Sequence, residues 1–353
     1  MNSNLLPTHC RDLLPKAVFK RDFADFQVNE HLGFEPDGEG AHLWVQLRKT
    51  DCNTIDVISS MAGILGVAEK DIGYSGLKDK HAVTTQWISV PFPINNPLPD
   101  FTDSKLADND LPDGVQILQL TKSGKKLRRG THRMNSFIIT LREVESAADT
   151  IENNLRNLTQ SGFPNYFGAQ RFGRHGRNVD SARNMFSSRK RKLSRFKRSL
   201  YLSAARAFLF NKVLSVRVEQ GSWLEVMSGE VCMLDGSNSV FKCESPDDET
   251  QKRLSDHDIH TTGPLYGAGD VMVEDMVKAL ESACMENEEV LCQGLVSAGL
   301  TCERRSLRAI AHDLDWKWLD EQTLELSFAL QRGVYATSML REIVDLQQSE
   351  ATT

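Results

Sequence analysis

No stretch of this chain approaches the roughly 18 consecutive apolar residues of a membrane span, so none is expected. Met1 to Lys16 carries prolines and polar residues where a signal peptide would have an apolar core, so no leader is expected either. The seven cysteines are odd in number, scattered and never spaced C-x-x-C. That argues against a disulfide framework and a local zinc site, and for the reduced thiols of a cytoplasmic protein. A cysteine joining a distant histidine at a metal stays open. There is no internal repeat and no low-complexity tract. An excess of positive charge is also missing: 42 Lys and Arg stand against 48 Asp and Glu, a net charge of −6. This excludes a uniformly basic nucleic-acid binder but not a clustered one, because phosphates respond to the field within about one Debye length.

What is present is an ordinary globular composition, 40% hydrophobic and 25% charged over 353 residues. That length suits two domains, or one domain carrying a large insertion. Phe26 and Val28 alternate with polar neighbours as in a half-buried strand, Pro36 to Gly40 signals a turn, and His42 to Leu47 reads as the next strand, which predicts a hairpin. Thr54 is the expected N-cap of a core-facing helix ending near Gly66. Gly73-Tyr74-Ser75-Gly76-Leu77-Lys78-Asp79-Lys80-His81 is a glycine-containing loop, and the β-branched and aromatic residues after Ala82 form a strand leaving it. Asp79 thus sits at a loop-to-strand junction. There it is either a turn residue or a carboxylate held open to a cleft, with flanking lysines able to recruit an anion.

Pro91 to Pro112 reads as a surface connection, and Val115 to Thr121 as a strand. Lys122 to Arg133, with Lys125, Lys126, Arg128 and Arg129, is either a solvated hairpin tip or a phosphate-contacting loop. Asn135 and Phe137 open a strand running to Val144, and Asp149 to Gln160 is an amphipathic helix closed by Gly162. Pro164 to Gly173 is a tightly packed turn or a stacking surface for unpaired bases. The most basic segment, with Arg189, Lys190, Arg191 and Lys192, precedes an apolar helix over Tyr201 to Val218. Positive charge there opposes the helix dipole, so phosphate binding is the simpler reading than a solvated surface. Strand-like pieces follow from Gly221 to Thr250, then a turn at Gly263 to Gly267 and helices over Val271 to Met285 and Glu289 to Leu300. Residues 301 to 313, with Arg304, Arg305 and Arg308, read as a helix, Leu324 to Leu330 as a strand, and Gly333 onward as a turn into a C-terminal helix.

Five separated motifs, from Asp25 to Glu342, resemble in order those of the TruD family of tRNA pseudouridine synthases. They are D-F-x-V-x-E with G-F-x-P-D-G-E-G-x-H, G-x-K-D-K-H-A-V-T-x-Q-W, N-x-F at Asn135, N-Y-F-G-x-Q-R-F-G, and G-x-Y-A-T-x-x-x-R-E. Two positions depart from the family pattern: Phe23 stands where proline is usual, and Met134 where glycine is usual.

The resemblance implies an α+β protein. Its pseudouridine synthase fold, a mixed, mainly antiparallel sheet flanked by helices, would occupy 1–160 and 310–353, with an inserted α/β TRUD domain at 161–309. The implied reaction isomerises uridine to pseudouridine in tRNA, at uridine 13, with no cofactor and no metal. Asp79 would be the catalytic carboxylate and Lys20 the cation beside it, favouring its charged form. Phe26, Phe137 and Tyr335 would enclose the flipped base, and Asn135 would hydrogen-bond it. The basic segments would hold the tRNA backbone, while His81 and the Arg341–Glu342 pair are read as structural. No membrane, no obligate protein partner, a monomer and a cytoplasmic location are expected. The alternative is a non-catalytic tRNA-binding protein. A hydrolase releasing uracil would need a second carboxylate, and none is marked out.

Overall fold

A computed structural model describes residues 6–10, 14–99, 111–145, 148–188, 193–243 and 246–348. The chain forms two compact units, one of Pro15–Ala148, Ala311–Gly333 and Asp345–Thr353, the other of Met1–Leu14, Asp149–Ile310 and Val334–Val344. The expected domains, 1–160 with 310–353 and 161–309, follow the order of motifs. Packing counts the helix Ala148–Ser161 from Asp149 onward, and the segment Val334–Val344, with the unit that contains the inserted portion. The helix buries Ile151, Leu155 and Leu158, and Ser338 donates to the Tyr166 carbonyl at 2.9 Å.

The first unit is built on a ten-stranded sheet. Its strands are β1 (Lys16–Phe19), β2 (Phe26–His31), β3 (His42–Thr50), β4 (Gly73–Tyr74) and β5 (Val83–Pro91). Then come β6 (Val115–Ser123), β7 (Met134–Arg142), β8 (His312–Asp320), β9 (Thr323–Gln331) and β10 (Asp345–Gln348). The order is β8-β9-β7-β2-β5-β3-β6, with β4 on β5 and β1 joining β7 to β10. Only β2–β5 and β1–β10 are parallel, so the sheet is mixed and mainly antiparallel.

The predicted hairpin does not form, because β5 lies between β2 and β3. Residues Val83–Pro91 are buried at all but their ends, as a central strand should be. The turn at 36–40 folds onto the loop after β6 instead: Asp37 Oδ2 accepts from Ser123 Oγ at 3.1 Å and from Gly124 N at 3.0 Å. Helix α1 (Thr54–Leu65) buries Val57, Ile58 and Met61 against Leu43, Val45 and Leu47 of β3 and Ile88 and Val90 of β5. Gly66 ends it in the left-handed conformation at φ 64°, as its position predicted. The N-cap is Asn53, one residue before the expected Thr54, whose hydroxyl is engaged elsewhere.

The second unit centres on the helix Arg195–Glu219, whose Ala204, Ala205 and Ala207 let neighbouring helices approach closely. Beside it lies an antiparallel four-stranded sheet in the order Val240–Cys243, Glu230–Leu234, Ile259–Leu265, Glu303–Ser306. Residues 301–313 are therefore not a helix. Glu303–Ser306 pairs antiparallel with Ile259–Leu265, and the buried Arg304 sits opposite Pro264. Gly263 to Leu265 is likewise strand and not turn. Its glycine serves close packing, since a Cβ there would lie 2.9 Å from Leu307 and 3.1 Å from Phe210.

Candidate active site

The sheet register assembles the site. Side chains two residues apart share a face, and neighbours across strands share it too. Lys49 of β3 sits opposite Thr84 of β5, Thr84 opposite Val28 of β2, Val28 opposite Phe137 of β7, and Phe137 opposite Phe328 of β9. One row on one face thus runs Lys49, Thr84, Val28, Phe137, Phe328. Phe26 and Glu30, two residues either side of Val28, and Asn135, two before Phe137, extend that face. Helix α1 covers the β3–β5 part of it, and the Asp79 loop lies where that cover ends.

Asp79 is held at two points. Lys20 Nζ donates to its Oδ2 at 2.5 Å. Lys49 Nζ donates to its backbone carbonyl at 2.6 Å and to the Cys52 carbonyl at 2.6 Å. Lys20 itself has φ 57°, and its ammonium lies 3.8 Å from the centroid of the Phe26 ring. The Phe26 and Phe137 rings are 6.0 Å apart, and Phe137 stacks on Phe328 at 5.2 Å. A carboxylate about one-third exposed therefore stands beside an aromatic wall, its charge met by a cation.

The lysines flanking Asp79 do not both serve as expected. Lys78 is turned inward, 2.9 Å from Glu30 Oε2, and donates to Asn135 Oδ1 at 2.7 Å. A side chain 7% exposed and so engaged is unsuited to recruiting an anion. Lys80 remains exposed. The loop is braced further by Thr54 Oγ1, which accepts from Lys78 N at 3.1 Å and donates to Gln86 Oε1 at 2.8 Å. His81 packs edge-on against Phe23, 4.5 Å between centroids, so the phenylalanine that replaces the usual proline is a packing partner of this loop.

Lys49 was missed from sequence because nothing local marks a lysine on a strand as buried. It has no exposed surface, and burial pushes its ammonium down to about 8. Its removal leaves two carbonyls without their donor and the Asp79 backbone free to shift. Lys49→Met is expected to lower kcat about 10- to 100-fold with KM within about threefold, since an ångström of misplacement costs that much. Steady-state kinetics with a melting curve checks this; unchanged kcat in a folded variant would refute it.

His132 was also missed. Its Nδ1 lies 2.6 Å from Ser75 Oγ, and Ser75 Oγ accepts from His132 N at 2.6 Å. Burial, with Lys78 and Arg332 nearby, pushes the imidazole down to about 4. A folded value below the unfolded 6.5 means stability fully present above about pH 6.5 and lost as pH falls towards 4. The loss is about 1–3 kcal/mol. Urea titrations at pH 6.5 and 4.5 should show a smaller drop for His132→Asn than for wild type; equal drops would count against it.

The remaining expected residues divide. Lys125, Lys126, Arg128 and Arg129 are exposed, around a Leu127 that is 2% exposed and anchors the loop beside Trp44 and Trp87. Tyr335 belongs to the other unit, where Arg171 Nε donates to its hydroxyl at 3.0 Å and Phe167 packs edge-on at 6.1 Å. Arg189, Lys190, Arg191 and Lys192 lie outside the described residues. After them, Arg195, Lys197 and Arg198 are exposed in the first turn of the helix Arg195–Glu219. Glu342 is buried and accepts from His9 N at 2.7 Å and Cys10 N at 3.3 Å, which raises no case for chemistry. Among the described residues there is no group of three or more His, Cys, Asp or Glu able to hold a metal, and no helix long and apolar enough to cross a membrane.

Comparison with known proteins bears on this geometry. The model of the family described as tRNA pseudouridine synthase D (TruD) matches residues 16–182 and 176–343. A protein of Xanthomonas euvesicatoria pv. vesicatoria named tRNA pseudouridine synthase D is 42% identical, over 98% of this chain and 95% of its own. One of the same name from Methylococcus capsulatus is 41% identical over 91% and 89%. A Methanosarcina mazei structure, solved as a candidate tRNA pseudouridine synthase D, superposes with a TM-score of 0.71 at 20% identity, covering 96% of this chain and 95% of that one, and shows the shared fold.

Proposed function

Because the chain belongs to the TruD family of tRNA pseudouridine synthases, we propose that it isomerises uridine to pseudouridine in tRNA, at uridine 13, with the Asp79 carboxylate acting at the ribose. The observation that carries this reading is the double hold on Asp79, by Lys20 at the carboxylate and Lys49 at the backbone, beside the Phe26–Phe137 wall. A preorganised charge next to a surface for a planar base is what the reaction needs.

The change is internal to the nucleotide. The C1′–N1 bond breaks, the uracil turns, C1′ bonds to C5, and C5 gives up a proton while N1 gains one. No water is consumed and nothing leaves, so one carboxylate suffices, either attacking C1′ or taking a proton from C2′. Asn135 accepts from Lys78 at Oδ1, so toward a uracil carbonyl it would act through its amide NH2 as a donor. Lys20 lies 3.8 Å from the centroid of the Phe26 ring and donates to the Asp79 carboxylate, which sets it between the two. Lys125, Lys126, Arg128 and Arg129, all exposed, would meet the tRNA backbone.

The test is incubation with unmodified tRNA bearing uridine 13, followed by pseudouridine mapping at single-nucleotide resolution. Pseudouridine at that position is expected. Its absence alongside tight, salt-sensitive tRNA binding would favour a non-catalytic binder, and pseudouridine elsewhere would move the target.

A further inference from the structure

A cavity of about 580 Å³ opens between α1, β4 and the loop 126–129, all within the first unit. Its walls are of two kinds. Ile55, which is 46% exposed, Ile58 and Ile72 form an apolar side. The other part of the lining is polar: Arg129 Nη2 donates to the Tyr74 hydroxyl at 2.8 Å, with the guanidinium 5.4 Å from that ring's centroid. Lys126 spans to the Lys70 carbonyl at 3.0 Å, and Arg128 completes a cationic rim. The one carboxylate in the lining, Glu69, accepts from Ser59 Oγ at 2.7 Å. An apolar wall with an aromatic ring under a cationic rim has the complement of an unpaired nucleotide: a flat base and an anionic phosphate.

The cavity is tied to the Asp79 loop. Gly130 N donates to the Ser75 carbonyl at 2.7 Å, and Ser75 and His132 are joined by two hydrogen bonds, so the basic loop is fastened to the segment leading to Asp79. Tyr74 and Asp79 are five residues apart, so their backbones lie within roughly 18 Å. That distance is a few nucleotides of one strand.

Resting on the tRNA reading above, we propose that this cavity is a second nucleotide subsite. It holds the base of an unpaired tRNA nucleotide near the target between Tyr74 and Ile55, and its phosphate on Arg128 and Arg129. The subsite acts on binding and not on the chemical step, because its walls are Tyr74, Ile55 and the loop 126–129, whereas Asp79 is held by Lys20 and Lys49.

The experiment measures KM, kcat and tRNA Kd at several salt concentrations for Tyr74→Ala, Ile55→Asp and Arg129→Ala, with Leu118→Ala, an exposed apolar truncation on β6, as control. Tyr74→Ala and Ile55→Asp should each raise KM and Kd about tenfold, the scale of one base-stacking contact, with kcat within twofold, and Tyr74→Ala, which changes no charge, should leave the salt slope unchanged. Arg129→Ala should weaken binding and reduce the slope of log K against log salt by about 0.7, one phosphate on a single strand. Wild-type KM and Kd in both Tyr74→Ala and Ile55→Asp would overturn the subsite, as would a loss confined to kcat. Ile55 lies on an exposed helix face, so its variant decides the matter if Tyr74→Ala fails to fold. Should the wild type bind tRNA without modifying it, the isomerase reading falls while Kd alone still decides the subsite.

Discussion

Asp79→Asn is expected to bind tRNA as wild type does and to form no pseudouridine, a loss of at least ~10⁴-fold in rate. The substitution preserves size and an oxygen able to accept from Lys20, and removes the negative charge. It leaves intact the two backbone anchors that shape the loop, Lys49 Nζ to the Asp79 carbonyl and Lys78 N to Thr54 Oγ1. A neutral amide neither attacks C1′ nor takes a proton from C2′, so both routes fail together. Single-turnover assays on uridine-13 tRNA, with melting curves and Kd measured in parallel, give the answer. Residual turnover above about one part in a hundred would remove Asp79 from the chemistry and direct attention to another group on the same face.

The largest effect on stability is expected from Glu281→Ala in the second unit. Glu281 and Arg304 form a two-pronged pair, Nη1 to Oε2 at 3.0 Å and Nη2 to Oε1 at 2.7 Å. Arg304 also donates to the Thr262 hydroxyl at 2.9 Å and carbonyl at 2.8 Å. The side chains are 1% and 8% exposed. Removing one partner leaves a guanidinium buried without its counter-charge, which costs about 3–5 kcal/mol. The pair itself is worth much less than that, because burying both charges is costly to begin with. Denaturant unfolding of the full chain should therefore show a large loss for Glu281→Ala and a smaller one for a double variant replacing both residues with leucine and methionine. A single variant within about 1 kcal/mol of wild type would contradict this account.

Arg304 also shows where the sequence misled. Residues 301–313 read as a helix because charged residues recur there without the apolar alternation that announces a strand. The segment forms the strands Glu303–Ser306 and Arg308–Ala309, and its buried side is partly charged: Arg304 rests on Glu281, and Arg308 Nε donates to His260 Nδ1 at 3.0 Å. Hydropathy does not register a buried charge whose partner is distant in sequence. The hairpin expected over residues 26–47 failed differently. A turn signal at 36–40 predicts that the chain reverses, not which strand takes the neighbouring place, and β5 won it with a fully buried run. Elements with one dominant local cause came through well. α1 stops at Gly66 in the left-handed conformation, and the helix Arg195–Glu219 contains the whole of the apolar run expected over 201–218.

The sequence by itself determined the family, the mixed sheet and the short stretches that hold Asp79, Lys20, Phe26, Asn135 and Phe137. Each stretch is a local conformational requirement written within about a dozen residues. Only the tertiary structure decided that Lys49 grips the Asp79 backbone, that Lys78 is spent on Glu30 and Asn135, and that Thr54 braces the loop instead of capping its helix. These partners lie 24 to 57 residues apart, and the sheet register brings the strands that carry Lys49, Glu30 and Asn135 to one loop. A one-residue slip in that register would turn the strand residues Lys49, Glu30 and Asn135 to the opposite face, away from the loop that carries Lys78 and Asp79.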